Sequence, residues 1–475
     1  MKKIIIYSSF LFIMGSCTKD ISRFNEETKA SSNVKAETLF SNATRNVVDG
    51  ITTPNVNDNV FRFTVQHWAM TTYQDEVNYD FTTRNIPERW WARMYRDVLA
   101  DLVESARLVN ANTSLSAATK ANQLAMIDIM QVYTFQILVN TFGNIPYSEA
   151  LDVNKLFPKY DDAKTVYADL LTRLGTDITK LSTSGEGFPA GQDLVAAGKV
   201  SKWIIFANSL MVRMAMTIAD VDDAKAKTLF EAATTKAISS SADDIIFTYY
   251  AGTPNTNPIW IDIVQSGRAD YVAAKPLLDT LVSFSDPRLS LYFSPNTAGN
   301  HVGGIVGGGN TYSAVSKPSA KFNAPDLPAT LVDYAEMEFY RAEAKERGYN
   351  VTGTAESHYN NAITASILSW GGTQADATAY LAKPKVAYAS AAGTWRTKIG
   401  IQKWIALYNR PFEGWTELRR LDFPVMSPPV AAKSGFPNRF SYPGNEQRLN
   451  GTNYTAAKEV MGNDAVEFKL FWDKF

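Results

Sequence analysis

The chain has 475 residues, 45% of them hydrophobic, and 47 Lys and Arg against 48 Asp and Glu give a net charge of -1. Near-neutrality offers no basis for nucleic-acid binding, and the apolar fraction suits a globular chain, either two or three core-sized units or one large helical body. A single cysteine excludes an internal disulfide framework.

Lys2 and Lys3 precede an apolar run over 4–14, followed by the small residues Gly15 and Ser16 and then Cys17. This pattern reads as a secretory signal peptide. The run is shorter than the ~20 residues a bilayer span requires, and no later segment reads as a span. Met14-Gly15-Ser16-Cys17 resembles a bacterial lipobox, in which the cysteine is acylated and becomes the mature N-terminus; this accounts for the lone thiol. Acyl chains contribute about 0.8 kcal/mol per buried methylene, enough in combination to anchor a soluble body. Three segments are therefore expected: a signal over 1–16, a polar aperiodic tether over 17–34, and a single helical body over 35–475.

Helices dominate the body. The stretch 88–109 places Trp91, Tyr95, Val98, Leu102 and Leu108 near one face, and 123–141 repeats the pattern with Leu124, Ile127, Met130, Phe135 and Leu138. Gly143 stops that helix, and Pro146 follows. Asp161-Asp162 opens a further helix to Leu181, where acidic residues complement the helix dipole. Helices are also expected over 199–218 and 222–238. A helical hairpin over 330–347 and 354–370 has Gly348, then Ala355, Tyr359 and Ala362 at the spacing of a degenerate tetratricopeptide-like repeat. The expected fold class is mainly all-α, with such hairpins and one loop-rich insert. The insert, near 243–328, begins with the β-favouring run Ile245 to Tyr250. It continues through a Pro/Asn-rich segment around Trp260 and a glycine-rich stretch, 303–309, read as a flexible turn.

Catalytic signatures are missing. The three histidines, His67, His301 and His358, form no HExxH, and one cysteine cannot build a Cys/His zinc site. His67 and His358 read as packing or hydrogen-bonding residues. The glycine-rich stretch lacks the Gly-Lys-Ser/Thr ending of a phosphate loop, and no GxSxG elbow occurs. No cofactor and no metal are expected. Aromatic residues in loops are the better lead, because Trp and Tyr combine a broad apolar face with a polar tip suited to a sugar ring or a peptide side chain. The candidates are Tyr73, Tyr79, Phe81, Trp260 and Trp395. Trp68, Trp90, Trp91, Trp203 and Trp404 lie in helical patterns and are assigned to the core.

Several ordered blocks carry a family resemblance. Residues 136–150, QILVNTFGNIPYSEA, resemble an FGdIPYsEAl signature; Arg341-Ala342-Glu343-Ala344 resembles an RAEA helix. Residues 402–407 and 415–420, with Trp415, Arg419 and Arg420, resemble QKWiAl and W.E.RR blocks. Arg439 to Pro443 with Glu446 and Asn450, and the opening Cys17 to Asp20, complete the set. Together they resemble the SusD/RagB family of outer-membrane nutrient-binding lipoproteins of Bacteroidota. The resemblance implies an all-α body with tetratricopeptide-like hairpins, a lipid-anchored place on the outer membrane facing outward, and an oligosaccharide or peptide ligand. It also implies a SusC-like TonB-dependent barrel that the protein caps. These blocks are expected to hold the fold, with ligand-binding residues in variable loops. Two other readings are a surface-anchored glycoside hydrolase, which two suitably placed carboxylates would allow, and a structural surface protein.

Overall fold

Long amphipathic stretches with capped ends form the framework of the computed structural model, which describes residues 34–475. Cys17 and the signal segment lie outside the described residues. Helix α1 (Ala36–Thr52) is followed by α2 (Ile86–Ala92) and α3 (Ala100–Ala111), which the π-helical turn Arg93–Leu99 joins. Helix α4 (Ala117–Phe142) begins six residues before the apolar periodicity does, because the Ser116 side chain accepts a hydrogen bond from the Thr119 amide. It stops at Gly143, whose φ of +83° suits a residue without a Cβ. Helix α5 (Ala163–Lys180) is capped by Asp162 through Thr165 N at 2.9 Å. Helices α6 (Val200–Thr217) and α7 (Asp223–Ala233) pack as a pair, α7 ending five residues short of the expected 238.

The insert is less irregular than its composition predicts. It contains α8 (Lys275–Phe284) and four of the eight strands that, among the described residues, form four two-stranded antiparallel ladders. Strand β1 (Trp68–Met70) pairs with β5 (Tyr271–Ala273), β2 (Ile145–Pro146) with β3 (Tyr160–Asp161), β4 (Ile245–Phe247) with β8 (Ala329–Val332), and β6 (Phe293–Ser294) with β7 (Lys317–Pro318). Residues 330–332, expected in a helix, are strand. Thr330 and Val332 lie opposite Ile246 and Ile245, and Asp333 begins α9 (Tyr334–Glu346) only afterwards by accepting from Glu336 N at 2.8 Å. The glycine-rich stretch is closely packed at several of its glycines. A Cβ on Gly303 would lie 2.4 Å from Lys275 Cα, and one on Gly307, at φ +74°, would lie 2.0 Å from Asn78 Oδ1. Close approach explains the glycines at 303, 304, 307 and 308.

Helix α10 (Ala355–Ser369) packs on α9 as the expected hairpin, with Tyr359 and Ala362 buried. The helices α11 (Gln374–Leu381), α12 (Trp395–Ala406) and α13 (Pro411–Leu421) follow. The fold is thus mainly α-helical with tetratricopeptide-like pairs. Trp68, Trp90, Trp203 and Trp404 are buried in the main core, and Trp91 packs partly exposed against it. A second cluster gathers Phe339, Tyr359, Ile363, Tyr380 and Leu421.

Buried ion pairs cross-link these helices. Arg420 grips Glu343 with two bonds of 2.6 and 2.5 Å and Glu417 with a third of 2.6 Å, the planar fork geometry that arginine favours. Arg419 lies 3.5 Å over the Trp415 ring and donates to the Asn140 and Asn438 carbonyls. Arg213 bonds Glu336 at 2.7 Å, and Arg410 bonds it too. Burial acts to raise the Glu336 pKa, but the two arginines outweigh it and bring it down to about 2. Among the described residues no helix is long and apolar enough to cross a membrane.

Candidate ligand-binding cleft

The short ladders bring three loop segments to one place. Pairing of β1 with β5 sets residues 71–85 beside 266–270, where Thr71 N bonds Asp270 O at 2.9 Å and Thr72 Oγ1 bonds Asp270 Oδ1 at 3.0 Å. Ala273 N bonds Ser316 O at 2.9 Å, which brings in β7, and β7 in turn carries β6.

Between them lies a cleft of about 190 Å³, lined by Ile263 and Arg268, by Tyr271 of β5, by Ser294 of β6, by Lys317 and Pro318 of β7, and by Tyr312, Ala320 and Asn323. Tyr271 forms a rigid floor: its ring is buried against Trp68 at 5.6 Å and Phe63 at 6.4 Å. Burial, with Asp262 adding to it, drives its hydroxyl pKa far upward, so it stays a neutral donor. Lys317 Nζ lies 4.7 Å from the Tyr312 ring centroid, a cation–π distance. Tyr73 stands beside the cleft, its ring flanked by Arg268 at 4.9 Å and Arg84 at 4.8 Å, and Arg268 also donates to its hydroxyl. Asp270 holds Arg268 by a 2.8 Å contact to Nε. Beneath, Asp262 accepts from Thr53 and Asn55 at 3.2 Å each, and burial raises its pKa to about 6.

The five aromatic candidates separate. Tyr73 joins the cleft through Arg268. Trp260, half-buried, precedes Ile263 by one helical turn on the run Pro258–Trp260 and Ile261–Gln265. Tyr79 and Phe81 are 4% and 1% exposed: Tyr79 meets the Phe436 ring at 6.2 Å and accepts from Gln66, and Phe81 meets Phe440 at 5.1 Å. Neither presents a ring face for stacking; the loop they occupy folds inward because its apolar side chains complete the core. Trp395 begins α12 and packs against the second cluster, its ring covered by Arg396 at 4.8 Å and Arg347 at 5.3 Å.

Sequence reasoning missed Arg268, Tyr312, Lys317 and Asn323. Tyr312 lies three residues past the glycine-rich stretch, and the loop-aromatic criterion, applied there, would find it. Arg268 and Lys317 carry no local signal. His67 is fully buried with Nε2 3.1 Å from the Trp404 carbonyl, and His358 bonds Glu338 at 2.9 Å; both serve packing and hydrogen bonding. Among the described residues no group of three or more His, Cys, Asp and Glu side chains could hold a metal ion.

A model of the SusD-like family, described as "Starch-binding associating with outer membrane", matches residues 28–443. Among solved structures, a chitin-binding protein aligns with a TM-score of 0.77 at 25% identity, covering 93% of this chain and 100% of its own. A chitin-binding SusD homologue from Flavobacterium johnsoniae gives 0.78 at 23%, over 92% and 98%. A SusD homologue from Bacteroides uniformis gives 0.77 at 24%, over 92% and 99%. No curated protein matches the chain.

Proposed function

Because the chain belongs to the SusD-like family, we propose that it is a cell-surface lipoprotein, not an enzyme, that captures an oligosaccharide and delivers it to a SusC-like TonB-dependent transporter. In this reading acylated Cys17 anchors it to the outer membrane, facing outward. The observation that carries the binding role is the cleft itself: tyrosine faces and fixed polar donors converge where rigid ladders meet, the combination expected of a pocket for a ring-bearing polar ligand. Two similar structures are described as chitin-binding, which favours a glycan over a peptide. The cleft lining among the described residues has no carboxylate, whereas glycoside hydrolysis requires two; this speaks against the hydrolase reading.

Titrating the purified body with glycan and peptide libraries tests the proposal. Saturable glycan binding without turnover is expected, weakened about tenfold or more by Tyr312→Ala, since one stacked aromatic contributes on the order of 1 kcal/mol or more; Tyr73→Ala, whose ring Arg268 and Arg84 already flank, is expected to act less, by loosening Arg268. Trp260→Ala is expected to weaken binding less, and Trp395→Ala to leave it unchanged. Turnover would establish the hydrolase instead; neither binding nor turnover would leave the structural reading.

A further inference from the structure

The cleft is one-sided in its hydrogen-bonding character. Its charged lining residues are Arg268 and Lys317; Ser294, Asn323, Tyr271 and Tyr312 are neutral, and among the described residues no Asp or Glu lines it. Arginine and lysine donate hydrogen bonds and accept none. Among the described residues Lys317 Nζ makes no ion pair and no hydrogen bond, and it lies 4.7 Å from the Tyr312 ring centroid. Arg268 is turned toward Asp270 and the Tyr73 hydroxyl, so Asp270 offsets one positive charge from the side and leaves that of Lys317 without a partner. Neutral sugars present hydroxyls, which both donate and accept. A lining rich in donors and without carboxylate acceptors is matched better by a ligand with an excess of acceptors, and an anion answers the uncompensated charge as well. At about 190 Å³ the cleft falls below the ~300 Å³ at which drug-sized pockets begin, which suits one ring of a longer chain.

We infer that the ligand is an acidic oligosaccharide, with a carboxylate or sulfate held by Lys317 and Arg268 while a sugar ring lies against Tyr312. This rests on the glycan-binding reading above. It is tested by calorimetric titration of the purified body with five probes: pentagalacturonate, a chondroitin sulfate hexasaccharide, chitopentaose, maltopentaose and pentaglutamate. At least one acidic glycan is expected to bind about tenfold or more tighter than either neutral one. Lys317→Gln, on a half-exposed side chain whose loss leaves the melting transition in place, is expected to reduce that affinity about tenfold, as is raising the salt to 0.5 M. Binding of pentagalacturonate assigns the site to carboxylate; binding of the chondroitin probe alone assigns it to sulfate if its desulfated form no longer binds, and to carboxylate if that form binds as well. Neutral glycans binding as tightly as the acidic ones, lost in Tyr312→Ala yet unchanged in Lys317→Gln, would overturn the acidic assignment and leave glycan binding standing. Binding of pentaglutamate alone, or of none of the five, would overturn the assignment, and pentaglutamate alone would overturn the glycan reading with it.

Discussion

His67 shows how much a single buried group governs. Burial, reinforced by nearby Arg62, lowers its pKa from 6.5 to about 3, and Nδ1 has no partner among the described residues. The folded chain therefore holds the ring neutral, while the unfolded chain takes up a proton below pH 6.5. Between 6.5 and about 3 the unfolded state binds more protons, so the contribution of this residue to stability falls as pH falls. The expected loss is on the order of 2 kcal/mol from pH 6.5 to 5. His67→Gln, which keeps a donor for the Trp404 carbonyl, is expected to flatten that part of the stability profile, measured as urea midpoints from pH 7 to 4.5. Parallel profiles for the two proteins would show that the ring does not stay neutral. At the same scale, loop position proved a poor guide to exposure: Tyr73 and Tyr79 lie six residues apart, one at the cleft and one in the core, because the backbone reverses at the short helix Gln74–Val77.

At the level of elements, the resemblance blocks are the joints of the helical framework. Arg420 on α13 and Glu343 on α9 are both buried, and Glu417 shares the arginine. Removing one partner leaves a buried charge poorly compensated, which costs about 3–5 kcal/mol, whereas removing both costs far less. Arg420→Met is thus expected to destabilise the protein by roughly that amount, and Glu343→Met combined with Arg420→Met to recover most of it, read as chemical-denaturation free energies. Equal losses in the single and double variants would mean that packing volume, not charge, matters there. Helix ends were legible where a cap residue marked them, as at Asp162 and Thr354. They were misplaced where tertiary pairing overrode propensity, as at β8.

For the whole molecule, the proposed place at the cell surface depends on Cys17. Cys17→Ala is expected to release the protein from the membrane fraction while its folded body still binds ligand. Native purification of the unaltered protein in mild detergent is expected to bring along a barrel-sized partner, since permanent interfaces often bury more than about 2,000 Å². Membrane retention of the alanine variant would refute the anchor, and recovery of the unaltered protein alone would count against the transporter complex.

The sequence by itself determined the helical class, the main hairpin, the buried tryptophans and the family. Each of these is written in local periodicity, in caps or in contiguous motifs, and local physics is enough to read them. The tertiary structure alone decided the cleft. Its residues come from 263 to 323 and from the loop at 73, joined by ladders of two and three residues too short to announce themselves. Which aromatic faces outward depends on long-range packing, and an arginine or lysine in a turn acquires meaning only once a tyrosine from another segment lies against it.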